Sequence, residues 1–245
     1  MAKKLKDYYD LECAKLLAGK IHQYCPEFDQ KGFVQTLEKT LPGKEFFARQ
    51  DVFADAFENY LVNNYVENIK IFTDLLGPEL TEAKGMFIHG WWLWPIGRYI
   101  ERHGVKDFDL SMAFIYELTK RFTGEFAIRP LIAQRPKKAL QIMLKWSKDD
   151  SVHVRRLASE GVRIRLPWAK KSLVALNEFE LYKRILAQLK SAPEKFIQKS
   201  VGNNLNDLMK EQPEKAREII DEWQKDSPTK ETLWIIKHGL RNQKG

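Results

Sequence analysis

The residues best suited to chemistry lie in one short run, HVRRLASEGVRIRLPWAKK (His153–Lys171). It sets a single carboxylate, Glu160, among Arg155, Arg156, Arg163, Arg165, Lys170 and Lys171, with Trp168 just downstream. An acid surrounded by cations stays ionised. It can then stabilise a developing positive charge or orient a water, while the cations hold a polyanion. A helix over Val152–Arg163 would bury Val154, Leu157, Ala158 and Gly161 at i, i+3, i+4 and i+7. At about 100° per residue, Arg156, Glu160 and Arg163 then fall together on the opposite, exposed side. Read more plainly, Arg156 and Glu160 at i, i+4 form a solvated surface pair.

The elements that must position this run are helices. Strand signals are scarce, and apolar periodicity recurs through Phe28–Thr40, Glu45–Asn63, Met86–His103, Pro136–Trp146, Val152–Arg163, Pro193–Lys210 and Pro213–Trp223. The fold class is all-α. The second half also repeats. From Pro136, Ile142, Trp146, Asp149, Gly161 and Arg163 map with a one-residue slip onto Ile219, Trp223, Asp226, Gly239 and Arg241. The separation is two units of HEAT-type length, so a third helix pair lies between them. In that pair Val201, Asn204, Leu205 and Leu208 correspond to Val154, Leu157, Ala158 and Gly161. The same offset carries Glu160 onto Asp207 and Arg156 onto Asn203. Adjacent helices lie about 10 Å apart, so both acids would face one groove. These features predict a curved α-solenoid with a concave basic groove, one domain over 1–245. Residues 1–85 supply N-terminal helices and 86–245 the repeats with the site.

The net charge is +8. Residues 135–171 hold eleven Lys or Arg against three Asp or Glu, which equals the whole surplus. An acidic partner such as nucleic acid follows, with phosphate contacts expected from Arg155, Arg163, Arg165, Lys170, Lys171 and Lys199. Cys13 and Cys25 are the only cysteines and have no CxxC or clustered histidine, so no disulfide framework or zinc site is expected and a reducing cytoplasm fits. The basic N-terminus lacks an apolar core, so no secretory signal is expected. The most apolar run, Met86–Ile100, is too short for a membrane span and is broken by His89, Pro95 and Arg98. Trp91, Trp92 and Trp94 read as packing residues, with Trp91 or Trp94 a minor candidate for DNA contact.

Three blocks carry a resemblance: FTGEFAIRPLI (Phe122–Ile132), WSKDDSVHVRRLASEGVRIRLPWA (Trp146–Ala169) and KSVGNNLNDLMKEQP (Lys199–Pro213). Together they resemble the AlkC-type DNA glycosylases of the AlkC/AlkD superfamily of HEAT-like-repeat enzymes, over roughly Met86–Arg241. The resemblance implies a monofunctional DNA glycosylase that hydrolyses the N-glycosidic bond of N3-methyladenine and N3-methylcytosine, with no metal or organic cofactor. It implies catalytic roles for Glu125, Glu160, Trp168 and Asp207, and a place for Arg156 in the DNA near the lesion. Some members add a C-terminal immunoglobulin-like domain. None is seen here, so the helical array alone is expected to grip DNA, as a monomer. Two other readings share the basic face: a non-catalytic protein that binds DNA of particular structure, and a helical-repeat scaffold for an acidic protein.

Overall fold

The computed structural model describes residues 3–61, 64–225 and 227–243. All regular structure among them is helical. The chain forms two compact units, Met1–Leu80 with Lys84–Pro130 and Thr81–Ala83 with Leu131–Gly245.

The first unit contains α1 (Leu11–His22), α2 (Gln30–Thr40), α3 (Phe46–Tyr60), α4 (Tyr65–Asp74), α5 (Met86–Gly90), α6 (Trp94–His103) and α7 (Phe108–Thr119). Asp10, Asp29, Asn64 and Asp107 start α1, α2, α4 and α7, each accepting hydrogen bonds from free first-turn N–H groups. Such a cap contributes about 1 kcal/mol. The core is strongly aromatic: Phe33, Phe57, Phe72 and Tyr99 are fully buried. The expected helix Glu45–Asn63 ends at Tyr60, and Asn63 lies outside the described residues. The expected helix Met86–His103 is interrupted by a 3-10 turn at Trp91–Leu93. Pro95 is the cause, because it has no N–H to donate and its ring needs the space beside the carbonyl four residues earlier. That carbonyl, on Trp91, instead accepts a hydrogen bond from Tyr9 Oη at 3.0 Å. Trp94 packs in the core, its ring 4.7 Å from Phe46 and 5.6 Å from Phe122 and Phe126.

The boundary between units falls within α8 (Ile128–Gln134). Beyond it come three helix pairs: α9 (Pro136–Trp146) with α10 (Val152–Glu160), α11 (Phe179–Leu189) with α12 (Lys195–Glu211), and α13 (Pro213–Lys225) with α14 (Lys230–Gly239). These are the repeats expected from the sequence. Both α9 and α13 open with proline, where a missing N–H costs nothing. Trp146 and Trp223 are buried at equivalent places, while Asp226 lies outside the described residues.

Within this unit α12 packs against both α10 and α14. The stripes Val154, Leu157, Ala158 and Val201, Leu205, Leu208 are all buried. Each large aliphatic side chain so buried stabilises the stack by about 1.5–3 kcal/mol. Glycine brings α12 and α14 together: a Cβ on Gly202 would lie 2.8 Å from His238 Cδ2, and one on Gly239 would lie 2.7 Å from Leu205 Cβ. A larger residue at either position would push the two helices apart.

Candidate active site

Glu160 is the last residue of α10, and α12 covers the face on which it sits. Here the structure corrects the expectation of an exposed acid. Glu160 is 5% exposed, Arg163 7% and Asp207 4%. Two local facts explain the burial. The helix stops at Glu160, so Arg163 leaves the helical path and its guanidinium folds back. The middle helix pair then lays α12 over that surface.

Arg163 is the hub. Its Nη1 donates to Glu160 Oε1 at 2.9 Å, its Nε to Asp207 Oδ2 at 3.1 Å, and its Nη2 to the Arg165 carbonyl at 3.2 Å. Arg156 Nη2 lies 3.4 Å from Glu160 Oε1, and its guanidinium carbon sits 5.0 Å from the Phe196 ring centroid. Ser200 Oγ donates to Glu160 Oε2 at 2.5 Å and lies 2.7 Å from Ser159 Oγ. Behind this layer Asn204 Nδ2 donates to the carbonyls of Ser159 and Ser200 at 2.8 and 3.0 Å. Tyr182 Oη donates to Asn204 Oδ1 at 3.1 Å. This buried polar ladder fixes α10 and α12 in register.

The two acids sit in unlike surroundings. Both Glu160 oxygens are engaged. Burial pushes its carboxyl up, but Arg156 and Arg163, with the Ser200 hydrogen bond, outweigh that and hold it below the usual range. Asp207 has one engaged oxygen: Oδ2 accepts from Arg163 Nε and from the Arg165 N–H, both at 3.1 Å. No described residue donates to Oδ1. Burial wins at Asp207, raising its carboxyl above the ordinary range despite Arg163, Arg165 and Lys210. Neighbouring acids with pKa values driven apart suit different tasks. Two acids and two arginines balance in charge. Such a cluster adds little net stability once desolvation is counted.

Trp168 is 67% exposed and its backbone is left-handed, with φ of 66°. It follows Pro167, and the Ala169 N–H donates to the Leu166 carbonyl at 3.1 Å. Proline second and a positive φ third are the marks of a type II turn, where glycine is the usual third residue. An indole held there costs about 1–3 kcal/mol, and such strain gathers at functional sites.

The remaining candidates separate by location. Glu125 belongs to the first unit, in the turn before α8, and accepts from Thr123 Oγ1 at 3.1 Å. Glu160, Trp168 and Asp207 belong to the second. Arg155 is committed inside that unit: Nη1 donates to the Asp149 and Asp150 carbonyls at 2.7 and 2.9 Å, and Nη2 pairs with Glu194 at 2.5 Å. Arg165 and Lys171 are half-exposed and both pair with Glu211. Lys170 and Lys199 are exposed. Among the described residues no cluster of three or more His, Cys, Asp or Glu could hold a metal, and no helix is long and apolar enough to cross a membrane. Sequence reasoning missed Ser200, Asn204 and Glu211. For Glu211 a signal existed, because it follows Asp207 by four residues and so shares its face of α12.

Residues 124–241 match the model of the family described as DNA alkylation repair enzyme. The chain has the helical-repeat fold of the AlkC and AlkD2 structures. Among individual proteins, it is 34% identical over 243 residues to the uncharacterized protein YhaZ of Bacillus subtilis, covering 97% of this chain. It is also similar to the Pseudomonas fluorescens alkylpurine DNA glycosylase AlkC, solved bound to DNA containing an abasic site analog. That match has a TM-score of 0.83 at 30% identity over 98% of this chain. AlkD2 from Streptococcus mutans shares the fold, with a TM-score of 0.55 at 21% identity, covering 88% of this chain and 99% of that one. The chain spans 64% of YhaZ and 65% of the AlkC chain, just under two thirds of each.

Proposed function

We propose that this protein is a DNA glycosylase that releases cationic alkylated bases, N3-methyladenine and N3-methylcytosine, by hydrolysing the N-glycosidic bond. The observation that carries the reading is the pair Glu160 and Asp207 on Arg163, one acid fully engaged and the other with an open oxygen.

N3-methylation gives the base a positive charge, so it can depart as a neutral molecule without being protonated first. The demand then moves to the deoxyribose, where positive charge develops and a water must reach C1′. Asp207 Oδ1 is the group assigned to orient and deprotonate that water. Its raised carboxyl makes it a better base than an ordinary aspartate. Glu160 stays ionised and supplies fixed negative potential. A unit charge pair 4 Å apart is worth about 4 kcal/mol at an effective dielectric of 20, at most about a thousandfold in rate. Only the shift of charge from base to sugar counts, so the usable part is smaller.

Trp168 is assigned the cationic base or the sugar, by stacking and cation–π attraction. Arg156 is assigned the DNA beside the lesion, and Glu125 a further acid of the reaction; both roles rest on the family resemblance. Phosphate contact falls to Lys170, Lys199, Arg165 and Lys171. Arg155 and Arg163, expected among these, have their guanidinium groups engaged inside the unit.

The test is incubation of the purified protein with duplex DNA carrying N3-methyladenine, followed by chromatography of free base. Release of N3-methyladenine with the strand left unbroken is expected. Tight binding of the DNA without release would favour the non-catalytic reading and overturn this one.

A further inference from the structure

One carboxylate grips both ends of the turn that carries Trp168. Glu211 Oε1 accepts from Arg165 Nε at 2.7 Å and pairs with Arg165 Nη2 at 2.5 Å, while Oε2 accepts from Lys171 Nζ at 3.0 Å. Its side chain is 11% exposed, against about half exposure for the two cations. The bases therefore reach in to the acid. Glu211 is also the last residue of α12. There the helix dipole disfavours a negative charge, which the two cations offset. The backbone closes the same loop: the Ser172 N–H donates to the Ile164 carbonyl at 3.0 Å, and the Arg165 N–H donates to Asp207 Oδ2 at 3.1 Å. Ile164 and Leu166 are buried beneath it. One face of α12 thus carries Asp207 and, one turn later, the clamp on the loop bearing Trp168.

We infer that Glu211 is a positioning residue for the proposed reaction: by bridging Arg165 and Lys171 it fixes the strained Trp168 turn relative to Asp207. The inference rests on the glycosylase reading above. It extends that reading to a residue assigned no chemistry of its own. The same pairing has a second consequence. Arg165 and Lys171 are partly neutralised in the free protein, so DNA phosphates compete with Glu211 for them.

The experiment uses the full chain labelled with 5-fluorotryptophan, whose seven tryptophans each give a fluorine resonance. The Trp168 signal is the one lost in Trp168→Phe. In Glu211→Gln that resonance is expected to shift or broaden while the other six stay in place, which also certifies the fold. Single-turnover release of N3-methyladenine is expected to slow by about tenfold to a hundredfold, the scale of a misplaced contact group. Non-specific duplex affinity should rise at the same time. The double variant Glu211→Gln with Trp168→Ala should be no slower than Trp168→Ala alone, because one residue acts through the other. An unchanged Trp168 resonance overturns the clamp. A shifted resonance with an unchanged rate, or rate losses that multiply, overturns the positioning role. If the wild type releases no base, the glycosylase reading and the positioning role fall together, and the resonance still reports on the clamp separately.

Discussion

The three repeats of the second unit carry the same scaffold position with three different side chains. By the repeat register Glu160 on α10 corresponds to Asp207 on α12 and to His238 on α14. The first two share one arginine in a buried, charge-balanced cluster. The third does something else. His238 stacks on Trp234, rings 4.9 Å apart and 10° from parallel, with Lys195 Nζ 3.7 Å from the Trp234 centroid. Burial, then Arg241, Lys199 and Lys195, hold the His238 imidazole below its usual range, so it is neutral at neutral pH. The apolar stripe builds each repeat, and the polar position is left free for function. Where the acids stand, desolvation is accepted; where none is needed, rings and solvent-facing cations fill the place.

Removing the arginine hub should have the largest effect. Arg163→Met leaves two buried carboxylates without their shared cation, and should cost about 3–5 kcal/mol in urea unfolding at neutral pH. Without the cation the Asp207 carboxyl, already raised by burial, rises further above its unfolded value, and Glu160 keeps Arg156 and Ser200 but loses part of what lowers it. The folded variant then takes up protons more readily, so its deficit relative to the wild type should shrink as pH is lowered through that range. A deficit relative to the wild type that stays constant or grows on acidification would show that the cluster is not what Arg163 neutralises.

A second contrast sets the equivalent positions against each other. Glu160→Gln should slow single-turnover base release by about a hundredfold or more, the scale of losing a preorganised electrostatic partner. His238→Gln, at the matching place on α14, should leave the rate within a few-fold. Equal losses at both positions would erase the distinction drawn between the repeats.

The smallest effect concerns strain. Because Trp168 sits at a φ where glycine is at ease, Trp168→Gly should be more stable than Trp168→Ala by about 1 kcal/mol, read from thermal unfolding. Both should lose activity alike. An alanine variant as stable as the glycine variant would mean that the turn relaxes without cost.

Much of this was legible in the sequence. The alternation of apolar residues in Val154, Leu157 and Ala158, repeated 47 residues on, gave the pairing of α10 with α12 and put Glu160 beside Asp207. Burial of the pair was not legible. Helical periodicity separates two faces, but it does not say that a neighbouring repeat covers the polar one. Arg163 looked like a surface cation for the same reason. Its bridging role depends on the helix ending three residues earlier, a boundary that Gly161 leaves open because it keeps right-handed helical dihedrals. Pro95 was visible and should have divided Met86–His103. The clamp by Glu211 needed the path of the 164–171 loop, which no periodicity encodes.

A pH–rate profile reads out whether Asp207 acts as the base through its open oxygen. Single-turnover release of N3-methyladenine by the wild type should fall on acidification through a pKa above the ordinary aspartate value of 3.8, because burial raises this carboxyl and only its ionised form can accept a proton. Asp207→Asn should be slower by about a hundredfold or more across the range and should lack that limb. An Asp207→Asn protein that stays folded, works within a few-fold of the wild type and keeps the same acidic limb would contradict the account.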